Sequence, residues 1–245
     1  MNADTATQLL LLDLQTADTA LAQLTHRRKT LPELAALAER KAVAARTHDA
    51  AVDAQTSAQD IGAEQRRLEN DVDTVRTRTS RDEARLQAGG LPARELEGLQ
   101  HEIVTLARRQ STLEDELLEV MERAEQTGAD MAEATRAHEA VVAEQHELIT
   151  RRDAAFAEID AAAAQLRPQR DALAAQIPAD LLALYERARA HGGTGAALLR
   201  QRRCEGCHIE LSGSEVAGLR NADEDAVVRC DNCRAILVRT AESGL

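Results

Sequence analysis

The chain has 245 residues, of which 44% are apolar, 29% are charged and 1% are aromatic, with one Phe, one Tyr and no Trp. A compact core of this size normally buries several large aromatic side chains. The composition therefore argues against a globular fold over most of the length and favours long helices. The formal net charge of −12 repels nucleic-acid phosphates, so any such contact must come from a locally basic segment.

The sequence predicts neither a signal peptide nor a membrane span. Its first residues are acidic rather than basic and include only four consecutive leucines. No stretch approaches the roughly 18 apolar residues of a spanning helix. We therefore expect a cytoplasmic protein without membrane contacts. In a reducing cytosol, paired C-x-x-C motifs are more often metal ligands or redox thiols than disulfides.

A first long helix is predicted from about residue 4 to residue 87. Residues at heptad spacing form a seam in its N-terminal part: Leu14, Ala17, Leu21, Leu24, Leu31, Ala35, Ala38, Ala42 and Ala45. A second seam, out of phase with the first, passes through Ala58, Ile61, Leu68, Val72, Val75 and Leu86. The register is therefore expected to shift between residues 46 and 58. Pro32 lies inside the first seam and predicts a kink or a break, since proline removes a helical hydrogen bond.

A turn near residues 88–92 separates this helix from a second one, predicted over 92–166. Gly89-Gly90 is typical of a helix end and Pro92 of a first helical turn. A turn this short favours antiparallel neighbours. One heptad phase runs through 21 positions of the second helix, of which 16 are apolar, which indicates a coiled coil. We interpret His138 and the other polar seam residues as fixing the register. The hairpin is expected to be elongated, as a monomer or a low oligomer.

Beyond the hairpin, Pro168 and Pro178 are predicted to interrupt the helix. A short amphipathic helix then begins at Pro178 and ends at Gly192-Gly193, and the residues from 196 supply a first strand. The predicted fold class is mainly α, a long antiparallel coiled-coil helical hairpin with a small C-terminal β-rich ribbon. We assign residues 1–168 to the hairpin, 169–195 to a short helix and connector, and 196–245 to the ribbon.

The cysteines all lie in this last segment, as two C-x-x-C pairs separated by 22 residues: Cys204, Cys207, Cys230 and Cys233. Two such pairs predict one tetrahedral, structural Zn²⁺ per chain, although the intervening stretch in related modules is usually about 15–20 residues. Iron or another metal is the alternative ion. A redox motif would need a single C-x-x-C near a βαβ pattern, which is absent. His208 could compete as a ligand, but we interpret it as an exposed strand residue.

No catalytic constellation accompanies the thiols. The sequence has no phosphate-binding G-x-x-x-x-G-K-[ST], no H-E-x-x-H and no G-x-S-x-G motif. The partial match GTGAAL at 193–198 follows a helix and opens no βαβ unit. We therefore expect a protein that is not an enzyme.

The order of these segments resembles a known family, the bacterial four-cysteine zinc-ribbon proteins with an N-terminal coiled-coil hairpin. IPADLLALYERAR at 177–189 and the two cysteine pairs carry the resemblance. The start of the second helix also fits at Glu95, Leu99, Gln100, Glu102 and Ile103, with Leu96 where an aromatic residue is common and Gly98 where Ala is. His208 and Arg234 follow the cysteine pairs at positions where the family often has glycine. The resemblance implies four zinc-ligating cysteines and a nucleic-acid-binding or adaptor role.

Two functions are compatible with the sequence. The first is a non-catalytic regulatory protein that binds nucleic acid through the ribbon, with the hairpin as a spacer or docking arm. Its candidate contacts are the arginines of the last 46 residues: Arg200, Arg202, Arg203, Arg220, Arg229, Arg234 and Arg239. Eight acidic residues from position 204 onward offset them, and the ribbon has no aromatic residue on which bases could stack. The second function is a protein adaptor or chaperone-like scaffold, because residues 92–168 carry 8 basic and 17 acidic side chains and suit a basic protein partner.

Overall fold

The computed structural model describes residues 1–245. Four helices come first in the chain: α1 (Thr5–Lys29), α2 (Pro32–Ala88), α3 (Ala93–Ala174) and α4 (Ala179–Gly192). The remaining elements are β1 (Ala196–Arg200), β2 (Arg203–Cys204), α5 (Gly213–Asn221), β3 (Val228–Arg229), β4 (Ile236–Val238) and a 3-10 turn (Ala241–Ser243). The chain forms two units, one of residues Met1–Leu34 and Arg151–Leu245 and one of residues Ala35–Thr150. None of the helices combines the length and the apolar character that a membrane crossing requires.

The second unit is an antiparallel pair formed by α2 and α3. Three ion pairs show that the helices run in opposite directions, because residues later in α2 pair with residues earlier in α3. These pairs are Arg40–Glu144, Glu64–Arg123 and Arg76–Glu114. Leu68, Val72, Leu113 and Val120 form its buried core. Along α3, all 21 positions of the predicted heptad phase are buried or half-buried. The coiled-coil hairpin is therefore confirmed.

The break at Pro32 is confirmed, but the register predicted for the first helix is wrong. α1 ends at Lys29 and α2 begins at Pro32, so the non-helical Thr30 and Leu31 reset the phase there. The shift predicted between residues 46 and 58 does not occur. The alanines assigned to the first seam in this part of the chain are exposed: Ala35, Ala38, Ala42 and Ala45. The half-buried positions of α2 instead follow one phase from Leu37, Ala44 and Thr47 onward: Ala51, Ala54, Ala58 and Ile61.

The predicted helix end at Pro168 is also wrong, because α3 continues through it to Ala174. Pro168 lies on the exposed side of the helix, where water can satisfy the carbonyl that the missing N–H leaves unpaired. The helix ends instead in a turn closed by the N–H groups of Gln176 and Ile177. Pro178 then precedes α4, as predicted, and Gly193 ends that helix in the left-handed conformation with φ of 79°.

The first unit contains α1, the C-terminal part of α3, α4 and the ribbon. The sheet order is β2-β1-β4-β3, with β1 parallel to β4 and with β2 and β3 antiparallel to their neighbours. Met1–Ala3 pair with residues 225–227, through the N–H of Ala3 on the Asp225 carbonyl and the N–H of Val227 on the Met1 carbonyl.

The core of this unit lies between α1, α4 and the sheet and centres on Tyr185, which is fully buried. Leu11, Leu14, Leu181 and Ile236 pack in the same cluster. Gly195 begins the approach to β1 directly against the ring of Tyr185, and an added Cβ there would overlap the ring. Glycine is therefore required where the chain leaves the helices for the ribbon.

Candidate metal centre and its arginine rim

The two cysteine pairs form two turns of the same geometry. Cys204 ends β2, and Cys230 directly follows β3. The N–H of His208 donates to the Cys204 carbonyl at 2.7 Å, and the N–H of Arg234 donates to the Cys230 carbonyl at 2.9 Å. His208 and Arg234 both adopt the left-handed conformation that glycine favours, with φ of 61° and 65°. The turn geometry is therefore kept without glycine.

His208 is not the strand residue that the sequence predicts. It lies in the first turn with its side chain 61% exposed, and its Nδ1 is 3.8 Å from the Glu205 carboxylate. The cluster able to hold a metal ion consists of the four cysteines alone.

The four sulfur atoms fit a tetrahedral zinc ion. All four lie within 4.8 Å of one another, and the Cys204–Cys233 and Cys207–Cys230 Sγ pairs are both 3.8 Å apart. Four thiolates about 2.3 Å from one tetrahedral ion lie about 3.8 Å from each other. Cys204 and Cys230 are buried and no sulfur is paired in a disulfide. The donor set is closed, so it suits a structural ion rather than one that binds water for catalysis.

Without a cation, the environment of the thiols is unfavourable to thiolates at two positions. Burial raises the pKa of Cys204 and of Cys233, because a thiolate loses hydration there. Burial also acts against the Cys207 thiolate, but the backbone N–H of Ile209 and the neighbouring thiols outweigh it and lower that pKa. A bound divalent ion would supply the missing compensation, since ligation deprotonates thiols.

Helix α5 occupies the long stretch between the two pairs. Ser212 caps it by accepting from the Glu215 N–H, while the Glu215 carboxylate accepts from the Ser212 N–H at 2.7 Å. Val216 and Leu219 are buried with the two cysteine pairs in one cluster. The ribbon is thus less purely β than predicted, and the helix accounts for the 22-residue spacing. Sequence analysis missed α5, although S-x-x-E at 212–215 is a capping-box signal.

Six of the seven candidate arginines are exposed, and three of these lie at the arginine turn, residues 200–203. This turn joins β1 to β2, with Gln201 and Arg202 both left-handed at φ of 46° and 64°. The C-terminal residues hold this turn in place. The N–H groups of Gln201 and Arg202 donate to the carbonyls of Glu242 and Ser243, each at 2.8 Å. Arg200 is neutralised by Glu242 at 3.0 Å.

The guanidinium groups of Arg202 and Arg203 each form a hydrogen bond through Nε alone. Arg202 Nε donates to the Gly244 carbonyl and Arg203 Nε to the His208 carbonyl, both at 2.9 Å. Neither guanidinium group forms an ion pair, so the terminal NH₂ groups of both remain free toward solvent.

Arg239 is half-buried and is bonded to the backbone of the ribbon itself. Its guanidinium group donates to five backbone carbonyls around the end of α5: Leu219, Ala222, Asp223, Glu224 and Ala226. These bonds occupy the terminal nitrogens, so the side chain stabilises the segment between α5 and β3. Arg220, Arg229 and Arg234 are exposed elsewhere on the ribbon and lie outside the arginine turn.

Sequence analysis also missed the polar residues that attach the ribbon to the helices. Gln15 Oε1 accepts from the Gly195 N–H at 2.6 Å and from the Ala196 N–H at 3.3 Å, and so fixes the start of β1. Asp18 is 4% exposed and accepts from the Tyr185 hydroxyl at 2.7 Å. A polar residue on an amphipathic helix gives no sequence signal of such a contact, because the partner lies about 170 residues away.

Residues 14–193 match the family of CT398-like coiled coil hairpin domains, and residues 203–237 match the C4-type zinc ribbon domain. The uncharacterized protein Rv2229c of Mycobacterium tuberculosis is 41% identical over 239 residues, 98% of each chain. The uncharacterized protein ML1638 of Mycobacterium leprae is 32% identical over 89% of this chain and 94% of its own.

Two solved structures have similar folds. A Mycobacterium smegmatis protein is 39% identical with a TM-score of 0.87, over 98% of this chain and 100% of its own. CT398 from Chlamydia trachomatis is 18% identical with a TM-score of 0.64, over 95% of this chain and 97% of its own. At that identity the second likeness concerns the fold alone.

Proposed function

Since this chain belongs to the family with a CT398-like coiled-coil hairpin and a C4-type zinc ribbon, we propose that it is a non-catalytic regulatory protein whose ribbon binds nucleic acid. One structural zinc ion, held by Cys204, Cys207, Cys230 and Cys233, would stabilise the ribbon. The arginine turn would contact the phosphate backbone, and the hairpin would act as a spacer or docking arm.

The observation that carries this proposal is the pair of anchored guanidinium groups, Arg202 and Arg203. Each is fixed through Nε while its terminal nitrogens stay free, which is the arrangement suited to forked contacts with phosphate oxygens. Gln201 and Arg202 are left-handed although neither is glycine, and such backbone strain is concentrated at functional sites. The mixed charge around the turn and the lack of aromatic residues favour backbone contacts over reading of base sequence.

The test is a binding titration of the zinc-loaded chain with fluorescent single-stranded RNA and duplex DNA across a range of salt concentrations. We expect the log affinity to fall with log salt. Replacing both Arg202 and Arg203 by Ala should reduce the slope by about 1.4 to 1.8, the share of two phosphate contacts. The matched control is Arg108→Ala/Arg109→Ala, which removes the same charge from exposed positions of α3.

Two results would contradict the proposal. One is the absence of binding to either nucleic acid at low salt. The other is an equal reduction, in both double variants, of the slope of log affinity against log salt. That result would mean that the total charge of the chain matters and the position of the arginines does not.

A second function, the protein adaptor, is favoured by one surface of α3. Leu118 and Met121 are 61% and 39% exposed and lie one turn apart. Residues 114–125 around them carry six acidic side chains and one basic side chain. An apolar pair bordered by carboxylates suits a basic amphipathic helix of a protein partner.

This second function is tested with a photo-crosslinking residue at position 118 in the native host. A protein containing a basic amphipathic helix should be trapped there and not from position 52 of α2, where Val52 is similarly exposed at 45%. Equal trapping from both positions, or none, would exclude the adaptor surface.

A further inference from the structure

Two histidines face each other across the helix pair of the second unit. His48 of α2 and His138 of α3 have ring centroids 5.3 Å apart, with the ring planes tilted by 54°. His138 is half-buried at a seam position, whereas His48 is exposed beside the seam residue Thr47. Neither residue belongs to the cysteine cluster or to the arginine turn.

The hydrogen bonds of Thr47 indicate which nitrogen of His138 is free. The Thr47 hydroxyl lies 3.2 Å from the Ala44 carbonyl, to which it can only donate, and 3.2 Å from His138 Nδ1. When the single hydroxyl proton lies on the Ala44 carbonyl, the hydroxyl accepts from His138 Nδ1–H. We assign this tautomer to His138, and it leaves the lone pair of Nε2 unused. A second partner that fixes the ring in this way is characteristic of metal-ligating histidines.

We propose that His48 and His138 form a second metal site, which takes a divalent transition ion such as Ni²⁺ or Zn²⁺ with water as the remaining ligands. Imidazole nitrogen is the donor these ions prefer. With metal–nitrogen bonds of about 2.0–2.1 Å, two rings at a tetrahedral ion have centroids about 5.2 Å apart. The observed 5.3 Å matches this spacing.

The neighbouring side chains allow a cation to approach. The residues one helical turn from the two histidines are all uncharged: Ala44, Ala45, Ala51 and Val52 on α2, and Ala134, Thr135, Val141 and Val142 on α3. No Lys or Arg at these positions repels the ion. An ion bound here would link α2 to α3, and it would stabilise the hairpin because the unfolded chain does not hold the two rings together.

The site is tested by calorimetric titration of Ni²⁺ into the full chain loaded with one equivalent of zinc, with the zinc content measured before and after. We expect one further binding event and a rise in the melting temperature. His48→Ala and His138→Ala should each abolish both effects. His101→Ala and His146→Ala, which remove exposed histidines of α3, are matched controls and should leave them unchanged.

Thr47→Val distinguishes ligation of the metal ion by His138 from non-specific electrostatic attraction of a cation. The variant keeps both imidazoles but removes the acceptor of the His138 Nδ1–H, and so should weaken Ni²⁺ binding by about tenfold. Circular dichroism verifies that each variant retains its helices. The proposal is overturned if the wild-type chain binds no further Ni²⁺, or if the His48 and His138 variants bind it as the wild type does.

Discussion

At the scale of single residues, one buried carboxylate organises the junction between helices and ribbon. Asp18 accepts from the Tyr185 hydroxyl and from Arg170 Nε at 3.2 Å, and it forms an ion pair with Arg189 at 3.3 Å. Burial, together with the hydrogen bond to Asp18, raises the pKa of Tyr185 far above its usual value, so the phenol stays protonated and remains a donor. Arg170 also pairs with Glu186 of α4. The network connects α1, α3 and α4 around the base of the ribbon.

Asp18→Ala should lower the free energy of unfolding by about 3 kcal/mol or more, because it leaves buried donors and positive charge without a partner. Asp160→Ala is the matched control. Asp160 also pairs with an arginine, Arg28 at 2.8 Å, but is 61% exposed, so its loss should cost at most about 1 kcal/mol. Chemical denaturation of both variants measures the difference. Equal, small losses would show that the Asp18 network contributes little to stability.

At the scale of elements, the long helices are stabilised by a seam that is narrow and regular. Leu113 is 2% exposed within this seam, whereas Leu118, five residues later, is 61% exposed. Leucine thus occurs on both the buried and the exposed face of α3, so the effect of burial can be compared at constant residue type.

Leu113→Ala should lower the free energy of unfolding by about 2–5 kcal/mol, since it opens a cavity in the hairpin core. Leu118→Ala removes the same atoms from the exposed face and should change it by less than about 0.5 kcal/mol. Thermal melts followed by circular dichroism distinguish the two. A similar loss in both variants would mean that the outer face of α3 is packed as well.

Helix α5 depends on its capping box. Ser212→Ala should destabilise the ribbon by about 1 kcal/mol, and Ser212→Asp should restore most of this, because aspartate also caps N-termini well. Hydrogen exchange of the α5 amides is the appropriate measurement. Unchanged protection in Ser212→Ala would show that packing of Val216 and Leu219 alone fixes the helix.

How far the sequence predicts these elements depends on the residues at the seam. In α3, large residues such as Leu99, Leu113 and Ile159 mark one face, and the predicted phase is confirmed. In α2, alanine occupies both faces, so Ala35 and Ala42 could not be distinguished from Ala44 and Ala51. The low helix propensity of proline likewise predicted a helix end at Pro168. The helix continues there because this position is exposed.

At the scale of the whole molecule, the residues that carry the proposed function lie in the C-terminal segment. The four cysteines and their spacing were sufficient to predict the zinc ribbon, because metal geometry is encoded locally. Which arginines keep free terminal nitrogens was not predictable, because the bonds of each side chain depend on its neighbours in the tertiary structure. Arg239 is occupied by backbone carbonyls and Arg200 by Glu242, which leaves Arg202 and Arg203 free at the arginine turn.

The arginine turn rests on residues that pack with the metal centre, so loss of the ion should affect it too. β2 carries both Arg203 and Cys204, and Arg203 Nε is held by the carbonyl of His208 in the first cysteine turn. We therefore expect chelation of zinc to unfold the ribbon and to abolish nucleic-acid binding, while the helical content of the hairpin persists.

The most direct test is the metal content of the purified chain, measured together with the fold of the ribbon. The account predicts one zinc per chain at the four cysteines, and it predicts that Cys204→Ser loses both this zinc and the hydrogen-exchange protection of β1 and β4. A wild-type chain without zinc, or a Cys204→Ser ribbon that stays as protected as the wild type, would contradict it.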